Sequence, residues 1–169
     1  TVVGTTVNVI MTMVCAYPLS RRDMPYRGFF MFLFTFTMFF GGGMVPTYML
    51  MSQLKLIDNP LVMILPGMIG VYNMILVPTF MQNLPYELFE AAEIDGCSDA
   101  YYFWRMVLPL SKACIAVIAL YYAVGHWNAY FNAFLYLNDR NKYPLSLFLR
   151  EILVNNQMTE SMDIDPDIL

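Results

Sequence analysis

Four long stretches without a charged residue divide the chain, and polar loops separate them. The stretches contain no Asp, Glu, Lys or Arg and comprise Thr1–Ser20, Gly28–Leu54, Asn59–Tyr86 and Ala113–Asn138. A helix of about 20 mostly apolar residues crosses a hydrocarbon core of about 30 Å. A soluble core does not need windows of this length four times over. The pattern therefore predicts an all-α membrane protein with four transmembrane helices.

The loops between these stretches set the expected organisation of the chain. We expect the spans at about 1–20, 28–51, 60–82 and 113–137. A polar loop, 83–112, lies between the third and fourth spans, and a polar tail, 138–169, follows the fourth. The chain begins at Thr1 without a methionine or the basic segment that opens a signal peptide. We therefore expect it to be part of a longer protein.

Basic residues in the loops predict the orientation, because cytoplasmic loops carry an excess of Lys and Arg. The first loop holds three basic residues, the second one and the third two, namely Arg21, Arg22, Arg27, Lys55, Arg105 and Lys112. The first and third loops are therefore predicted to face the cytoplasm, and the tail to lie outside. Three basic residues in the tail weaken this contrast without reversing it.

Composition narrows the class of protein and its chemistry. The chain is 59% hydrophobic and only 13% charged, whereas charged residues make up about 25% of soluble domains. It has no basic stripe for nucleic acid, and its three cysteines form no CxxC pair. The only histidine, His126, has no second His or Cys nearby to hold a metal. No GxxxxGK[ST] motif is present. We expect no enzyme activity and no cofactor bound by this chain.

Glycine and proline interrupt two of the predicted spans. Gly41–Gly43, followed by Pro46, lies in the middle of the second, and Pro66-Gly67 and Pro78 lie in the third. These residues are common in membrane helices, where they permit close packing or simple kinks. They are also compatible with a hinge along a translocation route, since broken helices occur where they line a cavity. Both interpretations stay open.

The polar loop 83–112 contains residues that typically begin and end helices, and they predict two short helices. Pro85 suits a first helical position, and Gly96 suits a left-handed end. Ser98 is placed to cap a second helix, which is expected to run to about Leu108 before Pro109 bends the chain into the last span. Glutamates follow Pro85 at helical spacing. An amphipathic helix lying at the lipid headgroups is the simplest alternative to a binding site.

The order of residues in this loop resembles the EAA signature of ABC importer permeases. Glu-Ala-Ala begins at Glu90, Asp95-Gly96 follows, and Leu108-Pro109-Leu110 closes the match, with Cys97 in place of the usual alanine. The resemblance implies that the loop contains a cytoplasmic coupling helix that seats in a cleft on ATPase subunits. The residues implied in this contact are Glu87, Glu90, Ala91, Ala92, Asp95, Gly96, Leu108 and Pro109.

The resemblance extends over nearly the whole chain. The segments Met24–Leu54, Leu61–Tyr86 and Ala113–Leu153 are similar to sugar permeases of the maltose-permease kind. His126-Trp127-Asn128, Phe131-Asn132-Ala133 and the run from Tyr136 to Arg140 are similar to the LplC/YtcP-like subgroup of oligosaccharide permeases. This implies a type I ABC importer transmembrane domain over 1–169, incomplete at both ends, with four of the family's usual six spans.

The family also implies the setting in which such a chain works. Its members are multi-pass proteins of the bacterial plasma (inner) membrane. They assemble with ATPase subunits that bind ATP and Mg²⁺, with a second permease that usually differs, and with an extracytoplasmic solute-binding protein. The second loop and the tail are candidate contacts for that binding protein, or else ordinary connections.

Polar residues within the spans are candidates for the solute pathway. They are Asn73, Tyr121, Tyr122, His126, Asn128 and Asn132. Aromatic faces and amide groups suit a sugar, but the same residues serve as interhelical hydrogen-bond partners, and aromatic residues near a span end suit the interfacial belt. For His126 we favour the interhelical role over a proton relay.

Two other classes of membrane protein compete with the importer. A secondary transporter or channel that is not driven by ATP would need charged residues within the membrane, and the four windows have none. A structural membrane-assembly subunit would explain the spans but not the EAA signature.

Overall fold

A computed structural model describes residues 1–163, with side chains through residue 157, and these residues are helical with no strand among them. The α-helices are α1 (Val2–Ser20), α2 (Arg27–Phe39), α3 (Met44–Gln53), α4 (Val71–Gln82), α5 (Tyr86–Ile94), α6 (Asp99–Tyr102), α7 (Leu108–Leu110), α8 (Lys112–Trp127), α9 (Tyr130–Tyr136) and α10 (Leu145–Asp163). Short 3₁₀ turns cover Pro60–Met63, Leu65–Gly67 and Arg140–Lys142, and a π segment covers Phe103–Val107. The predicted all-α class is confirmed.

Helix α1 lies at the centre of the described fold, because it packs against both α4 and α8. Its buried positions recur every three or four residues, which is the spacing of one helical face. They are Gly4, Asn8, Thr12, Met13, Ala16 and Leu19. Small residues on this face let the neighbouring backbones come close.

Among the described residues, only α1 is a single helix long and apolar enough to cross a membrane, judged by length and composition. Up to four spans result if each of three bent pairs counts as one. The pairs are α2 with α3, bent by 110°, the segment Pro60–Gly67 with α4, bent by 52°, and the segment Asp99–Leu110 with α8, bent by 79°. The number of spans therefore stays a prediction.

The glycine run in the second window lies between two helices rather than within one. Helix α2 ends at Phe39 and α3 begins at Met44, and Gly43 has a φ of 82°. Each glycine costs a helix about 1 kcal/mol relative to alanine, so three in succession end it. Pro46 then falls in the first turn of α3, where a backbone N–H has no partner within the helix, so the lack of one costs nothing.

The fourth window and the tail also differ from the simplest prediction. Helix α8 ends at Trp127 and α9 begins at Tyr130, so the expected span 113–137 is interrupted at Asn128, a residue type that competes with helical backbone bonds. In the tail the structure has helix α10, which the sequence analysis did not predict. Its Leu147 is buried. Residues 164–169 of the predicted external tail lie outside the described residues.

Loops predicted to share a side of the membrane lie together in the structure. Arg21 of the first loop is 3.7 Å from Asp99 in the third. At the other end, Lys142 of the tail is 2.6 Å from Asp58 in the second loop. These contacts agree with a chain that alternates between two sides.

Candidate functional site

Helix α5 has a well-defined end at Gly96. The Cys97 N–H donates to the Ala92 carbonyl at 2.9 Å, and the Gly96 N–H donates to the Glu93 carbonyl at 3.0 Å. These two bonds make up a Schellman motif, which needs a left-handed residue just after the helix. Gly96 supplies it with a φ of 71°. The predicted left-handed end is confirmed.

A second helix begins immediately after this turn. The Ser98 side chain accepts a hydrogen bond from the Tyr101 N–H at 3.3 Å, as the sequence predicts for a cap. The helix continues as the π segment just before Pro109. In a regular α-helix Pro109 would have no N–H to donate to the Arg105 carbonyl, and its ring would clash with that carbonyl. The bend into α8 follows at Ser111. The two turns fix α5 and α6 as one short, ordered unit.

The outer face of α5 is acidic and open. Glu87, Glu90 and Asp95 are exposed and form no ion pair or side-chain hydrogen bond with any residue whose side chain the structure describes. Ala91 between them is exposed too, so a partner can approach the helix closely. Ile94 is 86% exposed. This outer face combines hydrogen-bond acceptors, a small residue and an exposed apolar side chain.

The inner face of α5 packs on the rest of the unit. Ala92 is 2% exposed and belongs to the main apolar cluster, against which Phe89 and Leu108 pack. The Phe89 and Tyr102 rings meet edge to face with centroids 5.5 Å apart. Pro109 is exposed. Of the residues implied by the EAA resemblance, Ala92 and Leu108 therefore hold the unit in place, and the other six are exposed.

A cavity of about 380 Å³ lies at the other end of α8. Polar and aromatic side chains from four helices line it, namely Asn8, Thr47, Tyr121, Tyr122, His126, Asn132 and Tyr136. The segment before α4 adds Val62, Met63, Pro66 and Gly67. No charged residue is among those that line it. The cavity therefore has the hydrogen-bonding groups and aromatic surface of a site for an uncharged polar group.

Hydrogen bonds between helices occupy part of this lining. The Tyr122 hydroxyl is 2.7 Å from the Thr12 hydroxyl and accepts from the Gly70 N–H at 2.9 Å. Asn8 Nδ2 donates to the Gly67 carbonyl at 3.1 Å and lies 3.2 Å from His126 Nε2. The bonds join α1, α8 and the break before α4, which is the interhelical role considered for Tyr122 and His126.

The six residues predicted for a solute pathway do not all meet. Tyr121, Tyr122, His126 and Asn132 line the cavity. Neither Asn73, which is buried on α4, nor Asn128, which is exposed where α8 ends, is among the lining residues.

Sequence reasoning missed Asn8 and Thr12 on α1. Their spacing of four, in register with Gly4 and Ala16 in a charge-free window, is the signal that points to them.

The described part of the chain has no metal-binding cluster and no disulfide. It has no group of three or more His, Cys, Asp or Glu side chains able to hold an ion. Cys15, Cys97 and Cys114 are free thiols.

Comparison with known proteins indicates the class of protein to which this chain belongs. The profile of the family described as "Binding-protein-dependent transport system inner membrane component" matches residues 8–160. Protein LplC of Bacillus subtilis (strain 168) is 47% identical over 159 residues, which are 94% of this chain and 54% of that protein. The polygalacturonan/rhamnogalacturonan transport system permease protein YtcP of the same strain is 47% identical over 154 residues, 91% of this chain and 54% of that protein.

A solved structure has the same fold. It is a crystal structure of a bacterial ABC transporter involved in the import of the acidic polysaccharide alginate, with a TM-score of 0.88 and 32% identity, covering 91% of this chain and 55% of that chain. The chain belongs to the family of binding-protein-dependent transport system inner membrane components, and it is a membrane protein with the fold of an ABC importer permease. It spans about half the length of the curated relatives it matches. The predicted resemblance is confirmed.

Proposed function

We propose that the full-length protein is a permease subunit of an ATP-driven ABC importer in the bacterial inner membrane, and that it forms part of the pathway for a sugar or oligosaccharide. The outer face of α5 carries the proposal most directly. Exposed Glu87, Glu90 and Asp95 surround Ala91 on a helix whose ends are fixed by Pro85 and Gly96. Family membership supports the assignment of this face to the ATPase.

The energy for transport comes from other subunits in this proposal. The chain has no P-loop motif, so ATP and Mg²⁺ bind to the ATPase, and this chain catalyses no reaction. A second, different permease completes the pathway. An extracytoplasmic solute-binding protein docks at the opposite end, on the second loop and the tail.

The α5–α6 unit explains how movement reaches the spans. Carboxylates accept charge-assisted hydrogen bonds from basic side chains or backbone N–H groups of the ATPase cleft. Because Ala92 and Phe89 pack into the main cluster, displacement of α5 is passed to the helices beneath it. ATP shifts the inward and outward states only by binding them with different affinity.

The solute pathway runs through the cavity of about 380 Å³. Tyr121 and Asn132 are exposed and are the proposed sugar contacts, whereas Tyr122 and His126 hold the helices together. The name of YtcP specifies polygalacturonan and rhamnogalacturonan, and the related solved structure is of a transporter that imports the acidic polysaccharide alginate. They support uronate-containing oligosaccharides as the first substrates to test, with the uncharged lining of the cavity contacting sugar hydroxyl groups rather than the carboxylates.

Reconstitution of the full-length protein with its candidate ATPase, second permease and binding protein tests the proposal. We expect ATP-dependent uptake of an oligogalacturonate into liposomes, measured beside a neutral oligosaccharide of equal length. Glu90→Lys should lower uptake by about tenfold or more, because a charge-assisted hydrogen bond contributes about 1.5–3 kcal/mol.

Glu93→Lys is the matched control, because it makes the same charge change on α5 at an exposed position that is not among the proposed ATPase contacts. It should leave uptake near the unsubstituted value. Uptake that needs no ATP, or that Glu90→Lys leaves intact, would contradict the proposal.

A further inference from the structure

Helix α5 is joined through the backbone to α4 and α6 but not to α1, the central helix of the described fold. Yet α1 packs against both α4 and α8 and contributes Asn8 and Thr12 to the hydrogen bonds at the cavity. Any force that α5 passes to α1 must therefore travel through side chains. One side chain at the end of α1 is placed to carry it.

Arg21 follows the last residue of α1, and its backbone N–H donates to the Pro18 carbonyl at 3.1 Å, so its backbone is fixed to the helix. Its guanidinium carbon lies 3.5 Å from the centre of the Phe89 ring on α5. A planar guanidinium stacks on an aromatic face in a way that lysine does not. The side chain is only 21% exposed, which strengthens the attraction between cation and ring.

The same guanidinium also reaches the start of α6. Nη2 is 3.7 Å from Asp99 Oδ1 and 3.5 Å from Asp23 Oδ2. Both carboxylates are mostly exposed, at 71% and 65%, so these ion pairs orient the group more than they hold it. Contact with the Phe89 ring is the main attachment to α5, and the carboxylates help to keep the guanidinium over the ring.

We propose that Arg21 is a positioning residue that connects α5 to the end of α1, an inference that rests on the proposed function. Displacement of α5 by the ATPase then moves α1 together with the helices that follow α5. Arg21 touches neither the ATPase nor the solute. Its removal leaves the outer face of α5 in place and weakens the link between that face and α1, which packing in the main cluster alone then carries.

The test uses the full-length complex with its ATPase, and it separates binding of the ATPase from transport per ATP hydrolysed. Arg21→Ala and Phe89→Leu should each retain the ATPase on purification and lower transport per ATP by about threefold or more. Phe89→Tyr keeps the aromatic ring and should restore most of the coupling. The double variant Arg21→Ala with Phe89→Leu should be no worse than either single one, because both remove the same contact.

Arg22→Ala is the matched control. The Arg22 guanidinium also faces a ring of α5, but it lies 5.3 Å from the centre of Tyr86 and the residue is exposed, so the attraction is weaker. This variant should leave transport per ATP near the unsubstituted value. The proposal fails if Arg21→Ala leaves transport per ATP unchanged, or if Arg22→Ala lowers it equally. Failure of the unsubstituted chain to retain an ATPase would instead contradict the proposed function.

A second measurement needs no ATPase and covers variants that assemble poorly. Cys97, half-buried just after α5, packs against the main cluster. In a full-length chain with Cys97 as its only cysteine, a water-soluble maleimide in native membranes reports how firmly α5 is held. Arg21→Ala should raise the labelling rate several-fold and Arg22→Ala should not. Equal rates in the unsubstituted chain and Arg21→Ala would overturn the attachment.

Discussion

At the scale of single residues, close contact between α1 and α8 depends on a glycine. A Cβ added to Gly4 would lie 2.7 Å from His126 Nε2, so the ring would have to shift and would lose its contact with Asn8, which lies 3.2 Å from the same atom. Gly4→Ala should therefore lower the free energy of unfolding of the full-length protein by about 1–3 kcal/mol, the usual cost of overpacking. Thermal or denaturant unfolding in detergent measures this.

Gly28→Ala is the control for Gly4. It lies in α2 with nothing within 4 Å of an added Cβ, so it should be neutral or slightly stabilising, since alanine favours a helix. Equal losses of stability in the two variants would contradict the close contact.

Asp58 connects the second loop to the tail. Its Oδ1 accepts from the backbone N–H groups of Asn138 and Asp139 at 3.2 and 3.1 Å, and Lys142 Nζ donates to Oδ2 at 2.6 Å. The hydrogen bond from Lys142 is the main reason why the pKa of Asp58 lies below its ordinary value of 3.8. A depressed carboxyl pKa stabilises the fold above the unfolded value, and this stabilisation is lost as pH falls through the folded pKa.

Amide exchange tests this connection. Protection factors at Asn138 and Asp139 should stay constant from pH 7 to about pH 4 and fall only below the ordinary aspartate pKa. Asp58→Asn should lower them at neutral pH, whereas Lys55→Gln, a charge change in the same loop, should not. Protection that is lost between pH 7 and 5 would contradict the assignment.

At the scale of elements, the turn between α5 and α6 depends on backbone conformation rather than on space. Nothing lies within 4 Å of a Cβ added to Gly96, but its φ of 71° disfavours other residues. Gly96→Ala should destabilise the turn by about 1–2 kcal/mol, and Gly96→Asn should cost less, because asparagine tolerates this conformation. Amide exchange at Cys97, which donates to the Ala92 carbonyl, reports the turn directly. Faster exchange in Gly96→Asn than in Gly96→Ala would contradict this account.

The same elements indicate how far sequence alone can predict the fold. Gly96 ends α5 and Ser98 caps the start of α6, each through contacts with neighbouring residues, so these two boundaries follow from local rules. The separation of α2 from α3 at Gly41–Gly43 is a stronger break than the kink or hinge the sequence suggested. Helix α10 was missed because Leu147 is its only buried apolar position among the described side chains, so the segment has no recurring buried face that would predict a packed helix.

At the scale of the whole molecule, the described helices link an acidic outer face at one end to a cavity at the other. The sequence from Glu90-Ala91-Ala92 to Gly96 predicted the acidic outer face. The cavity could be predicted only in part, because Asn8 lies 118 positions from His126 and no local pattern pairs them. The contact of Arg21 with Phe89 likewise joins distant segments, so from the sequence Arg21 indicates only the orientation of the first loop.

The central claim is that the outer face of α5 contacts the ATPase, and site-specific photo-crosslinking tests it most directly. A benzoylphenylalanine introduced at Ala91 of the full-length protein, in membranes that contain the tagged ATPase, should form a crosslinked species of the combined mass. The same probe at Lys55, in the loop at the opposite end, should form none. A crosslink to the ATPase from Lys55, with none from Ala91, would contradict both the orientation and the function proposed for this chain.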